Sequence, residues 1–215
     1  MNKRHRAAIL LADIFALKKN DTPPQIDERI AQMLRGVDYY GKQIERLARN
    51  RYDGKITDEQ FIAGMGFLIT SQLRRAARDA LRELEEQGMD AEVENELARM
   101  QTEEQGHLRD LLAAILLALS MRRPFETLIA RLELWKYRYL DAYNRALIKI
   151  GKRKNRELVW RFGATENHCS DCAHYEGQIL TAAKWDEIFR IHGHRPQSPF
   201  LECGGWRCDC RLERA

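Results

Sequence analysis

Five cysteines crowded into one end of the chain constrain this protein more than any other feature. Cys169, Cys172, Cys203, Cys208 and Cys210 all lie beyond residue 168, and no cysteine precedes them. An odd number in one stretch is a poor disulfide framework and a good metal framework, and it suits a reducing compartment. Cys169-x-x-Cys172 has the spacing at which a tight turn brings two sulfurs to one tetrahedral ion. The second cluster offers three more sulfurs, with Gly204-Gly205 letting the backbone fold closely between Cys203 and Cys208. In extended backbone residues two apart face the same side, so Cys208 and Cys210 can chelate together. These spacings predict one structural zinc held by four of the five thiolates. Cys169, Cys172 and Cys208 form the expected set with either Cys203 or Cys210, and the fifth sulfur lies beside the shell. A shell that thiolates can close leaves no open position for chemistry, so the expected zinc is not catalytic.

The other residues read differently. Of 215 residues, 32% are charged and 44% hydrophobic, the balance of a soluble, helix-rich chain. The net charge of +4 permits contact with nucleic acid without requiring it. Asp21-Thr22-Pro23-Pro24 supplies a helix cap. Beyond it Ile26, Ile30, Met33, Val37, Tyr40, Ile44 and Leu47 alternate spacings of four and three, a heptad seam. Tyr52-Asp53-Gly54-Lys55 is a turn, and Thr57 with Gln60 is a capping box opening a second helix expected to stop near Gly88. The acid-rich stretch 83–104 predicts an exposed helix, followed by another from Gly106 to Met121. A second seam runs through Phe125, Leu128, Leu132, Trp135, Tyr139, Ala142 and Ala146 and stops at Gly151. Two such seams suggest an elongated antiparallel bundle, or a face kept for partner subunits. The predicted fold is therefore mainly α: a helical domain over 1–151, then a small α+β, zinc-stapled module over 152–215. A basic linker over 149–156 joins the two.

Neither apolar run suits a membrane. Residues 7–17 follow a basic start, but Asp13 interrupts them and no small-residue cleavage site follows. Residues 111–121 fall well short of the roughly 20 needed to span a bilayer. Both read as buried helix. No phosphate-cradling loop, nucleophile elbow or paired-carboxylate motif argues for an enzyme. His168 and His174 flank the first cysteine pair and read as polar neighbours; His107 reads as a surface or core residue. His192 and His194 leave open a zinc-stapled nuclease. Arg145, Lys149, Lys152, Arg153, Lys154 and Arg156 leave open a nucleic-acid-binding protein, although no aromatic residue is interleaved for stacking.

Thr165-Glu166-Asn167-His168-Cys169-x-x-Cys172, then Gly177, a Pro-containing stretch and Cys208-x-Cys210 resemble the tail of the phage head-morphogenesis family. These are the minor head proteins of tailed phages, the phage Mu F-like group. The turn at Tyr52-Asp53-Gly54-Lys55-Ile56-Thr57 and the helix carrying Phe61 and Met65 are similar to that family's helical part. Two features depart from its pattern. Arg195-Pro196-Gln197-Ser198-Pro199 and Leu201-Glu202-Cys203 replace a Pro-Pro-x-His element, and Asp209 replaces the arginine of the final motif. The first departure implies that Cys203 takes a ligand position held elsewhere by histidine, in preference to Cys210. The resemblance implies a non-enzymatic virion component assembled in the host cytoplasm as part of a larger assembly. Its expected partners are portal or capsid proteins, with weak, non-specific contact to packaged DNA.

Overall fold

The computed structural model of the protein describes residues 28–163, 167–205 and 208–215. The cap at Asp21, the apolar run over 7–17, the seam position Ile26 and the motif residues Thr165 and Glu166 lie outside them. Four long helices carry the chain up and down: α1 (Glu28–Tyr52), α2 (Asp58–Glu83), α3 (Ala91–Ser120) and α4 (Ile129–Arg153). A 3-10 turn, Phe125–Leu128, leads into α4. Their starts follow from local chemistry. Gly54 takes φ 72 in the turn after α1, a conformation that costs glycine little. The Thr57 hydroxyl accepts the Gln60 N–H at 3.2 Å while Gln60 Oε1 accepts the Thr57 N–H at 2.9 Å, completing the capping box. At α3 the Asp90 carboxylate accepts the Val93 N–H at 2.9 Å.

Side-chain pairs fix the directions. Tyr52 lies edge-on to Phe125 and Tyr40 packs on Tyr139, so α1 runs antiparallel to α4. Arg138 meets Glu104 and Lys149 meets Glu92, so α3 also runs antiparallel to α4. The second seam closes inside this bundle, and so does the first from Val37 to Ile44. Every position of the second, from Phe125 to Ala146, is buried, as are Val37, Tyr40 and Ile44 of the first. Trp135 is 4% exposed and Tyr139 0%, so neither is left to dock a partner. Rings of this size contribute up to about 4–6 kcal/mol each at roughly 25 cal/mol per Å². Among the described residues no helix is long and apolar enough to cross a membrane.

Several local expectations are corrected. Residues 91–104 of the stretch expected to be an exposed helix and the helix expected from Gly106 are one helix, α3, and α2 ends at Glu83 rather than near Gly88. Gly106 costs about 1 kcal/mol in an exposed helix interior, which the stripe Val93, Leu97, Met100, Leu108, Leu111 and Ile115 outweighs. Glu96 and Glu104 are buried within it, because α4 sets Arg145 against one and Arg138 against the other. Gly151 does not end α4. It makes room: a Cβ there would lie 2.9 Å from the Ala182 Cβ. Nor is 149–156 a linker, since α4 runs to Arg153 and a turn through Asn155 (φ 51) leads directly into a strand.

Beyond that turn come β1 (Glu157–Arg161), α5 (Ser170–Tyr175), β2 (Ile179–Thr181), α6 (Ala182–His192) and β3 (Arg211–Arg214). The strands form one antiparallel sheet in the order β2-β1-β3. Trp160 of β1 packs in tilted contact with both Tyr175 and Trp185, which meet each other edge-on, and the Trp185 indole N–H donates to the Leu158 carbonyl at 3.0 Å. A single apolar core joins this sheet to the bundle, and the boundary expected at 151/152 falls inside α4. The fold is mainly α with a small α+β region at its C-terminal end, as the periodicities predict.

Candidate metal centre

Each cysteine is delivered by a different local device. Cys169 occupies the cap position of α5, and Cys172, one turn in, is 1% exposed. Cys203 lies in the loop after α6, which Gly204 (φ 62) and Gly205 (φ 68) fold back. Gly205 is required twice over, because a Cβ would also meet the Gln197 carbonyl oxygen at 2.4 Å. Cys208 and Cys210 lie in the segment that leads into β3 and are both buried. The two loops are clipped together: Glu202 accepts the Ser170 N–H (2.8 Å) and hydroxyl (2.7 Å), and Asp171 accepts the Glu202 N–H (2.7 Å).

All five predicted ligand residues converge. The sulfurs of Cys169, Cys172 and Cys203 lie within 4.8 Å of one another, as do those of Cys172, Cys208 and Cys210. Cys172 belongs to both groups and is the centre of the cluster. The geometry does not mark out a spare sulfur. His168, expected as a polar neighbour, stacks on Phe162 at 3.8 Å with Nδ1 3.6 Å from the Cys210 sulfur, and forms a further group with Asp209 and Cys210.

Thiols this close cannot all ionise without a cation. Hydrogen bonding to Cys208 and Cys210, together with burial, pushes the Cys172 thiol well above its ordinary value. Burial pushes Cys203 up to about 12. Cys208, lowered by its bond with Cys172, is still carried up to about 11 by Cys210 and burial. Bonds from Cys172 and Cys208 bring Cys210 down to about 4. Burial works against Cys169, but the backbone N–H groups of Cys172 and Cys203 hold it low. The sulfurs thus divide too few negative charges among them. A bound divalent cation would displace the remaining protons and let the donors act as thiolates. The cluster fits a metal ion.

The support behind the sulfurs was not legible in the motifs. Gln197, buried and at φ 64, donates to the carbonyls of Cys208 (3.0 Å) and Cys210 and accepts from Asn144 Nδ2 at 2.6 Å. Asn144 also accepts the Leu212 N–H at 2.7 Å, and Arg195 reaches Asp141 at 2.8 Å. A signal did exist: Asp141 and Asn144 are polar residues in the apolar run 139–151, where buried helix demands partners for them.

The remaining candidates have structural partners. His194 Nδ1 lies 3.1 Å from the Tyr175 hydroxyl, and His174 meets the Tyr175 ring edge-on. Among the described residues neither His192 nor His194 joins a group of three possible metal ligands. His107 lines an open groove beside Glu104 and Arg138. The basic run is paired with acids: Lys152 with Asp186 at 2.7 Å, Arg153 with Asp90, and Lys154 with Glu86 at 3.1 Å. Arg156 reaches Glu86 at 3.7 Å, Lys149 reaches Asp186 at 3.6 Å, and Arg145 contacts Glu96, Glu103 and Asp141. No family model matches this chain, and neither a curated protein nor a solved structure matches it.

Proposed function

We propose that this protein is a structural component of a phage head, of the minor head or head-morphogenesis kind, in which one zinc ion locks the C-terminal region. The observation that carries the metal half is the convergence of five sulfurs from separate segments on Cys172. An all-thiolate set is soft and tetrahedral in tendency, which suits zinc, and four of these sulfurs close its shell without water. Zinc so held contributes folding free energy, about 10–16 kcal/mol of apparent binding in small modules, rather than catalysis. Cys172 with Cys169, Cys203, Cys208 and Cys210 would supply the four ligands and the neighbouring thiol.

The assembly half rests on the resemblance of the cysteine-bearing tail to head-morphogenesis proteins. It implies a virion protein assembled in the host cytoplasm, with portal or capsid proteins as partners. The nucleic-acid reading is weakened by the pairing of Lys152, Arg153 and Lys154 with Asp186, Asp90 and Glu86, which takes up that part of the basic run. One experiment addresses both halves: proheads and virions of the encoding phage are purified and probed for the protein and its metal. The protein is expected in fewer copies than the major capsid protein, with close to one zinc per chain. Absence from both particles overturns the assembly reading, and metal-free, folded protein overturns the zinc.

A further inference from the structure

A cavity of about 260 Å³ opens where α3, α4 and α6 meet, well away from the cysteines in sequence. Arg99, Arg145, Lys149, Arg190 and Arg195 line it, with Phe189 and two acids, Glu96 and Asp186. The two signs are not equally presented. The side chains of Arg190 and Arg99 are 67% and 53% exposed, whereas Asp186 and Glu96 are recessed at 6% and 10%. A solute entering the cavity therefore meets cations first.

The wall behind them holds a buried arginine whose donors are not all met. Arg195 is 3% exposed, with its guanidinium 4.4 Å above the Phe189 ring. Among the described residues its ion pair is to Asp141, a carboxylate that also reaches Arg145 at 3.3 Å and Arg138 at 3.8 Å, although Arg145 has Glu96 at 3.2 Å and Arg138 has Glu104 at 3.0 Å. Arg195 Nε and Nη1 are buried and meet no acceptor among the described residues. Burial, with Arg145 and Arg138 nearby, brings this arginine down to about 10. Leaving buried donors unpaired costs about 1–3 kcal/mol each, more for a charged group. On the rim, Lys149 and Arg190 reach Asp186 only at 3.6 and 3.7 Å, while Lys152 makes the short 2.7 Å contact with it. Pairs this long gain little Coulomb energy and yield to a better acceptor.

We infer that this cavity is an anion site for a phosphate group, gripped at the rim by Arg190, Lys149 and Arg99 and backed by Arg145 and Arg195. Phosphate fits better than a carboxylate because cations approach from three helices and a phosphate offers several strong acceptor oxygens. The inference is independent of the zinc and of the assembly reading.

The test uses the full zinc-loaded chain and inorganic phosphate as the probe, titrated calorimetrically against a chloride buffer of matched ionic strength. Saturable binding is expected, at least tenfold weaker in the double variant Lys149→Gln/Arg190→Gln. Both positions lie on the rim, and an unchanged thermal midpoint in chloride verifies that the variant folds; Arg99→Gln alone is a milder second variant, expected to weaken binding severalfold. Equal binding by wild type and both variants, or no saturable binding to the wild type, overturns the site. A mixed-sequence 20-mer single strand separates the sources of phosphate. If the strand competes with inorganic phosphate and loses affinity in the same variants, the site takes a nucleic-acid backbone phosphate. If it does not compete, the site takes free phosphate.

Discussion

Cys172 is the one sulfur shared by both groups of three, and it is nearly inaccessible. Cys172→Ser should therefore lower bound metal from about one equivalent to near zero, since each group of three sulfurs loses a member without it. One of Cys203, Cys208 and Cys210 should tolerate serine with most of the metal retained. Metal analysis of the serine series checks both statements, and equal loss in all five variants would rule out a single four-coordinate ion. Glu104 gives a second single-residue expectation. Burial pushes its carboxyl up to about 7; Arg138, 3.0 Å away, opposes this, while the charges of Asp141 and Glu103 add to it. The folded state thus binds this proton more tightly than the unfolded chain. Its contribution is complete below the ordinary value of 4.5 and is lost as pH rises through about 7. Between pH 5 and pH 8 the urea midpoint should fall by the equivalent of roughly 2–3 kcal/mol. Glu104→Gln, which stays neutral, should flatten that slope.

Among the elements, α4 has the most unusual environment. From Tyr139 to Gly151 nearly every side chain is buried, because α1, α2 and α3 surround it and α6 and β3 cover its far end. Gly151 is where α6 comes closest. Gly151→Val should force the Ala182 contact apart and cost about 1–3 kcal/mol, the usual range for overpacking. The denaturant midpoint should shift while metal content stays near wild type, because the cysteines are positioned by α5, the loop after α6 and the approach to β3. Heptad spacing foretold the α1 and α4 seams well, since a repeated apolar face has only a few ways to leave water. It failed over 83–104 for a physical reason. Glu96 and Glu104 look solvated until Arg145 and Arg138 arrive from a helix some forty residues later in the chain.

For the molecule as a whole, the continuous core and the Gln197–Asn144 link would couple a metal held by the cysteines to the bundle. Removing the metal with a strong chelator should therefore broaden or lower the unfolding transition of the helices as well as of the sheet. Far-UV circular dichroism across a thermal scan would detect it, and an unchanged helical transition would mean that the two parts unfold separately. The sequence alone determined the helical class, the capping box at Thr57 and the five residues of the metal cluster, because spacing and local hydrogen bonding act within a few residues. Tertiary structure decided the rest. It placed Cys172 between two groups of sulfurs, consumed Trp135 and Tyr139 in the core, and paired the basic run with acids. It also buried Arg195 and Gln197 as the link to α4. Those outcomes depend on which charges and donors meet across long loops, and burial alone makes such meetings obligatory.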